Sequence, residues 1–146
     1  MLINLEEKLH SQIPMTRLMK LQVKSFDSKK LITKAPLDIN INDKGTAFGG
    51  SLSTMTIISS WSVCLLFTEQ LGYEGSMIAI IKNETSFKAP VTKDIICHTF
   101  LPSEEELKLL EKKLKEKGSA SLKIKSQIIE DEKVCVDFEG IYVIKV

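Results

Sequence analysis

The sequence contains 24 consecutive residues, Gly45 to Thr68, without a charged side chain. A segment of this length can cross a membrane or run through a protein core, because both environments exclude unpaired charge. Nine of the 24 residues are Ser or Thr, and three of the first six are Gly. This composition is weakly apolar for contact with lipid. We therefore expect a core helix over 48–71, about 36 Å long at 1.5 Å per residue, and no membrane partner.

The flanking sequence predicts a single α+β domain over 1–146. Ser103 and Glu106 form a capping box that starts an amphipathic helix, while alternation of apolar and polar residues indicates strands. Gly140 interrupts the last strand and predicts a bulge. The predicted elements are helices 4–12, 48–71 and 103–117, and strands 17–25, 30–37, 76–88, 94–101, 119–130 and 133–146. A curved antiparallel sheet wrapped around one buried helix leaves apolar surface uncovered, which favours a homodimer or a dimer of dimers.

Composition excludes several classes of function. The 20 basic and 19 acidic residues nearly balance, so we expect no nucleic-acid partner. Three widely spaced cysteines without a CxxC motif indicate reduced core thiols of a cytoplasmic protein, and the acidic N-terminal stretch does not resemble an export signal. Two isolated histidines, His10 and His98, predict no metal site, and the sequence contains no glycine pattern for a nucleotide cofactor. We expect no cofactor.

The stretch NDKGTAFGG, residues 42–50, resembles the thioesterase pattern of hotdog-fold proteins. In that pattern an Asn is followed three residues later by Gly, and an aromatic residue or His precedes a Gly-Gly pair that opens the long helix. The matching residues are Asn42, Gly45, Phe48, Gly49 and Gly50. TSFKAPV, residues 85–91, is similar to the family's strand that ends in a basic residue and proline. KGTAFGGSL together with Trp61 is similar to a bacterial thioesterase domain that some proteins fuse behind an acetyltransferase-like domain.

This resemblance implies a hotdog fold, hydrolysis of a thioester, and an acyl-CoA or acyl-carrier substrate. Two positions depart from the family's pattern. Many hotdog thioesterases have His where this chain has Phe48, and many have an acid nine residues further along the helix, where this chain has Ile57. Hotdog dehydratases use a His with a carboxylate from that helix, so their chemistry fits this sequence less well than thioester hydrolysis.

The remaining residues suggest a catalytic set of Asn42, Asp43, Gly49 and Gly50. Backbone N–H groups at a helix start can polarise a thioester carbonyl, and glycines allow it to approach closely. Asp43 can act as general base while Asn42 orients the water or the substrate. The alternative is purely structural, since Asx residues commonly form turns and glycines also allow a helix end to pack against a strand.

Five further residues are candidates for binding the substrate: Phe48, Ser51, Thr54, Glu84 and Lys88. Glu84 can supply the missing carboxylate across a dimer interface, and Lys88 can meet the phosphates of coenzyme A. The helix hydroxyls can instead bond to backbone carbonyls, and Glu84 can be an ordinary exposed strand residue. Two functions therefore stay open: a thioesterase, or an acyl-thioester-binding or structural hotdog protein without turnover.

Overall fold

The computed structural model describes residues 2–146 and contains four helices and six strands. In chain order these elements are α1 (Leu2–Gln12), α2 (Pro14–Leu18), β1 (Gln22–Phe26), β2 (Lys30–Ala35), α3 (Gly49–Gln70), β3 (Met77–Phe87), β4 (Ile95–Phe100), α4 (Glu104–Lys117), β5 (Ser119–Glu130) and β6 (Lys133–Lys145). The strands form one sheet in the order β1-β2-β4-β5-β6-β3, and every neighbouring pair is antiparallel. The edges of the sheet are therefore β1 and β3.

Helix α3 packs against the sheet and contacts β2 through β6. Its middle and C-terminal half are buried, and Met55, Val63 and Cys64 have no exposed surface. Most buried hydroxyls on α3 find partners in the fold, and the Ser59 and Thr33 hydroxyl oxygens lie 2.7 Å apart. Ser60 Oγ is the exception, since it is buried and meets no hydrogen-bond partner within residues 2–146. By length and composition α3 is apolar enough to span a membrane, but most of it is covered by the rest of the chain. The predicted core helix and the α+β architecture are both confirmed.

The strand predicted over 17–25 is wrong in its first half. Residues Pro14–Leu18 form the short helix α2, and β1 begins only at Gln22. Proline suits the first turn of a helix, because its φ is already helical and its missing N–H would have no partner there. Lys20, with a φ of 58°, then turns the chain toward the strand. Leu18 is therefore the last residue of α2, and Leu21 lies in the turn before β1. Their apolar side chains do not belong to one alternating strand.

The bulge predicted at Gly140 is also wrong. Gly140 pairs regularly with Ile124 on β5 and Asn83 on β3. The register shifts occur elsewhere. Ile81 has no partner residue where β3 pairs with β6, and Cys135 has none where β6 pairs with β5. A side chain at Gly140 would crowd two aromatic rings, since a Cβ there would lie 2.7 Å from Phe138 Cζ and 3.0 Å from Tyr142 Cε1.

The amphipathic helix predicted over 103–117 is confirmed as α4. Ser103 and Glu106 form the capping box, and Gly118 ends the helix with a φ of 68°. Leu110 and Leu114 are buried, and α4 packs against β5. This contact covers part of the sheet away from the start of α3, where the candidate site lies.

Candidate active site

The connection between β2 and α3 is held in a defined shape by its own backbone. Phe48 N–H donates to the Asn40 carbonyl at 2.7 Å, and Asn42 N–H donates to the Thr46 carbonyl at 2.8 Å. Ala47 N–H reaches the Val91 carbonyl on the neighbouring connection at 2.8 Å. These bonds close the loop into a narrow turn and fix the direction in which the chain enters α3.

Asn42 is occupied within this loop. Its Oδ1 accepts from the backbone N–H groups of Lys44 and Thr46, at 2.8 and 3.1 Å, and its Nδ2 donates to Thr46 Oγ1 at 2.9 Å. Both ends of the amide are thereby satisfied, which is the behaviour of an Asx turn. Asn42 shapes the loop that precedes the helix.

Asp43 lies at the tip of the same loop. Its side chain is 81% exposed and forms an ion pair of 3.2 Å with Lys44. Exposed pairs of this kind contribute little to stability, so this pair leaves the carboxylate free to exchange partners. Asn42 and Asp43 lie in the loop that precedes the glycines of α3 in the chain.

The start of α3 presents backbone donors without acceptors. Phe48 is the N-cap residue, and no side chain caps the helix. Within residues 2–146 the N–H groups of Gly49, Gly50 and Ser51 meet no acceptor, and the first N–H that does so is that of Leu52, which bonds to the Phe48 carbonyl at 3.0 Å. Unsatisfied N–H groups at the positive end of a helix dipole attract an anion or a polarised carbonyl oxygen.

The two glycines have different surroundings. A Cβ on Gly49 would meet no atom within 4 Å, so this residue borders open space. A Cβ on Gly50 would overlap the Phe48 ring, which folds back against the first turn of the helix. Phe48 itself is about half exposed. The absence of side chains thus leaves room for an approaching group at Gly49 and for the Phe48 ring at Gly50.

An apolar groove of about 440 Å³ adjoins these donors. Its walls come from α2, the loop after β2 and the start of α3, and they include the buried Met19. The exposed apolar side chains of the groove are Met15, Leu18, Ile39 and Phe48. All four are at least half exposed. The sequence did not point to Met15, Leu18 or Ile39 as site residues, because Leu18 lies in the predicted strand 17–25 and the other two lie in connections between predicted elements. An apolar cleft with a few polar groups at one end is the usual form of a small-molecule site.

The polar end of the groove is formed by Asn40, Ser51 and Thr54. Thr54 Oγ1 donates back to the Gly50 carbonyl at 2.8 Å, as helix hydroxyls commonly do. Ser51 Oγ instead donates to Asn40 Oδ1 at 2.9 Å. Asn40 is only 3% exposed. The sequence did not point to Asn40 as a site residue, because Asn40 lies outside the motif of residues 42–50 on which the resemblance rests.

Glu84 and Lys88 do not line this groove. Glu84 is an exposed residue of β3 that pairs with Glu139 on β6. Lys88 directly follows β3, and its Nζ lies 3.6 Å from Asp137 Oδ2. Both residues lie at or beside the β3 edge of the sheet.

The buried thiols are poor nucleophiles. Burial raises the pKa of Cys64 to about 12, and burial also raises the pKa of Cys97. Thiolate is the reactive form of cysteine, so both side chains are inert near neutral pH. In the described part of the chain, no three His, Cys, Asp or Glu side chains cluster as metal ligands. The groove itself offers backbone donors, hydroxyls and Asn40, and neither Asn42 nor Asp43 lines it.

Residues 2–146 match the model of a family described as "Putative thioesterase (yiiD_Cterm)". The chain belongs to this family. A solved structure of a protein of unknown function from Chlorobaculum tepidum TLS is 32% identical, with a TM-score of 0.92 and coverage of 98% of this chain and 93% of that chain. A "putative thioesterase" from Shewanella oneidensis is 29% identical, with a TM-score of 0.86 and coverage of 97% and 95%. No curated protein matches the chain.

More distant structures share the architecture of the family. A thioesterase from Haemophilus influenzae is 14% identical, with a TM-score of 0.68 and coverage of 99% of this chain and 91% of that chain. At this identity the likeness shows the fold alone. Together with the six-stranded antiparallel sheet around α3, these neighbours confirm the hotdog fold that the resemblance implied.

Proposed function

We propose that this protein hydrolyses acyl-CoA or acyl-carrier thioesters at the start of α3. The observation that carries the proposal is that the N–H groups of Gly49, Gly50 and Ser51 meet no acceptor within residues 2–146, while Gly50 and Ser51 line the apolar groove. A thioester has a carbonyl oxygen that such donors can stabilise as it becomes an oxyanion. It also has an acyl chain that favours an apolar surface.

In the proposed complex the carbonyl oxygen accepts from the N–H groups of Gly49 and Gly50. The open space beside Gly49 admits the thioester, and the acyl chain follows the groove past Phe48 toward Leu18. Water attacks the carbonyl carbon, the C–S bond breaks, and the products are a carboxylate and a thiol. Donors fixed by the helix need no reorganisation during this step, which is the source of their catalytic effect.

The general base in this proposal is Asp43, since Ile57 occupies the position where relatives in the superfamily have an acid. The acid on α3 is Glu69, which lies in its last turn and pairs with Lys8 at 3.0 Å. Asn42 holds the loop that carries Asp43. We expect Asp43→Ala and Asn42→Ala to lower the rate of thiol release by about 100-fold, the lower end of general base catalysis. The control is Asp38→Ala, which removes an exposed acid from the same connection. Unchanged rates in both test variants would exclude the loop as the source of the base.

The proposal includes a cytoplasmic homodimer, or a dimer of dimers, formed through the β3 edge. This strand is 11 residues long and leaves Met77, Ile81 and Phe87 more than half exposed. A long edge strand with apolar side chains is a template for pairing with another chain. Pairing there would bring a second copy of Glu84 and Lys88 near the first chain. Mass measurement by light scattering at assay concentration tests this, and an active monomer would contradict it.

The groove predicts which residue selects the acyl chain. Leu18→Trp should shorten the preferred chain, because the larger side chain fills the part of the groove farthest along α2. We expect at least about tenfold loss for long acyl chains and little change for short ones, in line with the 1–3 kcal/mol effects of small pocket changes. The control is Leu109→Trp, at an exposed apolar position on α4. An identical chain-length profile for Leu18→Trp and wild type would place the acyl chain elsewhere.

A second function stays open because of Ile57. Without an acid at position 57 of α3, the same donors and groove can bind an acyl thioester without turning it over. This function predicts a higher melting temperature in the presence of acyl-CoA and no thiol release. Hydrolysis of any physiological thioester at a saturable rate would exclude it.

A further inference from the structure

The amide of Asn40 is fixed in one orientation. Its Nδ2 donates to the Met19 carbonyl at 2.9 Å and to the Pro36 carbonyl at 2.7 Å. Carbonyl oxygens only accept hydrogen bonds, so the NH₂ end of the amide must face them. The other end, Oδ1, therefore points at Ser51. Because Asn40 is almost fully buried, solvent does not compete for these bonds.

This orientation determines what Ser51 can do. A serine hydroxyl has one proton and two acceptor lone pairs. The proton of Ser51 is used in the bond to Asn40 Oδ1, at 2.9 Å. The oxygen therefore lines the groove only as an acceptor, while the neighbouring N–H groups of Gly49 and Gly50 are only donors. The donor Gly50 and the acceptor Ser51 both line the groove, and Gly49 directly precedes them.

We propose that Ser51 is a catalytic residue that holds the attacking water, and that Asn40 is the positioning residue that keeps Ser51 an acceptor. This inference rests on the proposed thioesterase function. The water donates one hydrogen bond to Ser51 Oγ, which turns a lone pair of the water toward the thioester carbonyl carbon. Alignment of this kind matters because small misplacements of reacting atoms reduce rates steeply.

The step balances without a proton on Ser51. The water oxygen forms a bond to the carbonyl carbon, and the electron pair of the C–S bond leaves with sulfur. One water proton ends on the thiolate, giving a thiol. The other passes to solvent when the carboxylic acid ionises. Asp43, the proposed general base, transiently accepts one of the water protons. The hydroxyl proton of Ser51 stays on Ser51 and remains hydrogen-bonded to Asn40 Oδ1 throughout.

The test compares Ser51→Ala with wild type in steady-state hydrolysis of an acyl-CoA that the wild type turns over. We expect kcat to fall by about 100-fold, the cost of a 1 Å misplacement, with KM unchanged. The melting temperature should fall as well, because Asn40 Oδ1 is left buried without its donor, so the assays are run well below the melting temperature of every variant. Ser51→Thr retains the hydroxyl and should recover most of kcat. Asn40→Leu frees the Ser51 proton and should lower kcat in the same way, with its melting temperature measured alongside. The matched control is Ser53→Ala on the same helix, outside the groove.

Other outcomes would overturn the inference. A raised KM with unchanged kcat would mean that Ser51 binds the substrate, for example an amide N–H of its carrier arm. Unchanged kinetics would mean that the bond to Asn40 only ties α3 to the preceding loop. Loss of activity in proportion to loss of stability would show the same structural role. These results leave thioester hydrolysis by the wild type intact, whereas a wild type that releases no thiol would overturn the proposed function as well.

Discussion

Gly49→Pro should lower kcat for thioester hydrolysis by about 100- to 1,000-fold, the usual effect of removing one oxyanion donor. Proline lacks the backbone N–H, so this substitution deletes a single proposed donor. The fold should tolerate it, because Gly49 is the first residue of α3, a position that proline favours. Phe48 has the extended ψ of 132° that a residue before proline requires. A Cβ on Gly49 would meet no neighbour within 4 Å.

The control for this prediction is Gly49→Ala, which adds a Cβ and keeps the N–H. We expect Gly49→Ala to retain more activity than Gly49→Pro and to be at least as stable as wild type, because alanine in place of an unstrained glycine stabilises a helix. Steady-state kinetics and thermal melting of the three proteins check both statements. Equal losses in the two variants would contradict a role for the Gly49 N–H and indicate crowding of the substrate instead.

Gly140→Ala should lower the free energy of unfolding by about 1–3 kcal/mol, the typical cost of overpacking a core. The new methyl group would lie 2.7 Å from Phe138 Cζ. Neither aromatic ring has room to move, since Phe138 and Tyr142 are 1% and 0% exposed. Tyr142 also donates to the Ile57 carbonyl of α3 at 2.7 Å. Strain at Gly140 is therefore transmitted from the sheet to the central helix, and urea denaturation measures its cost.

A double-mutant cycle tests the cause of this destabilisation. Phe138→Leu removes ring atoms that the methyl group would meet, so Gly140→Ala should cost less in the Phe138→Leu background than in wild type. A cost that is the same in both backgrounds would show that Phe138 is not responsible. A coupling of at least about 0.5 kcal/mol is expected for residues in direct contact.

The two principal helices were predictable because local signals identify them. The absence of charge over 45–68 indicated that α3 is covered by protein, and the capping box marked the start of α4. The segment around α2 was not predictable in the same way. A five-residue helix carries too few periods to distinguish it from a strand, and the alternation of Leu21 and Val23 placed the predicted start of the strand before Gln22. Pro14 was an available signal for a new helix start.

The glycine motif correctly indicated where α3 begins, but the groove depends on contacts between distant segments. Asn40 is fixed by carbonyl groups of Met19 and Pro36, and no spacing in the sequence shows that these groups meet. The same is true of Gly140, where two rings from the same strand fill the space that a side chain would take. The proposed roles of Asn42, Asp43, Glu84 and Lys88 stay predictions, and none of these four residues lines the groove.

The most direct measurement is the number of thiols released per protein chain from short, medium, long and aromatic acyl-CoAs and from an acyl-carrier thioester. We expect many thiols per chain from at least one class, with a rate that saturates as the substrate concentration rises. No release from any of them, together with a higher melting temperature in the presence of an acyl-CoA, would contradict the thioesterase function and support an acyl-thioester-binding protein.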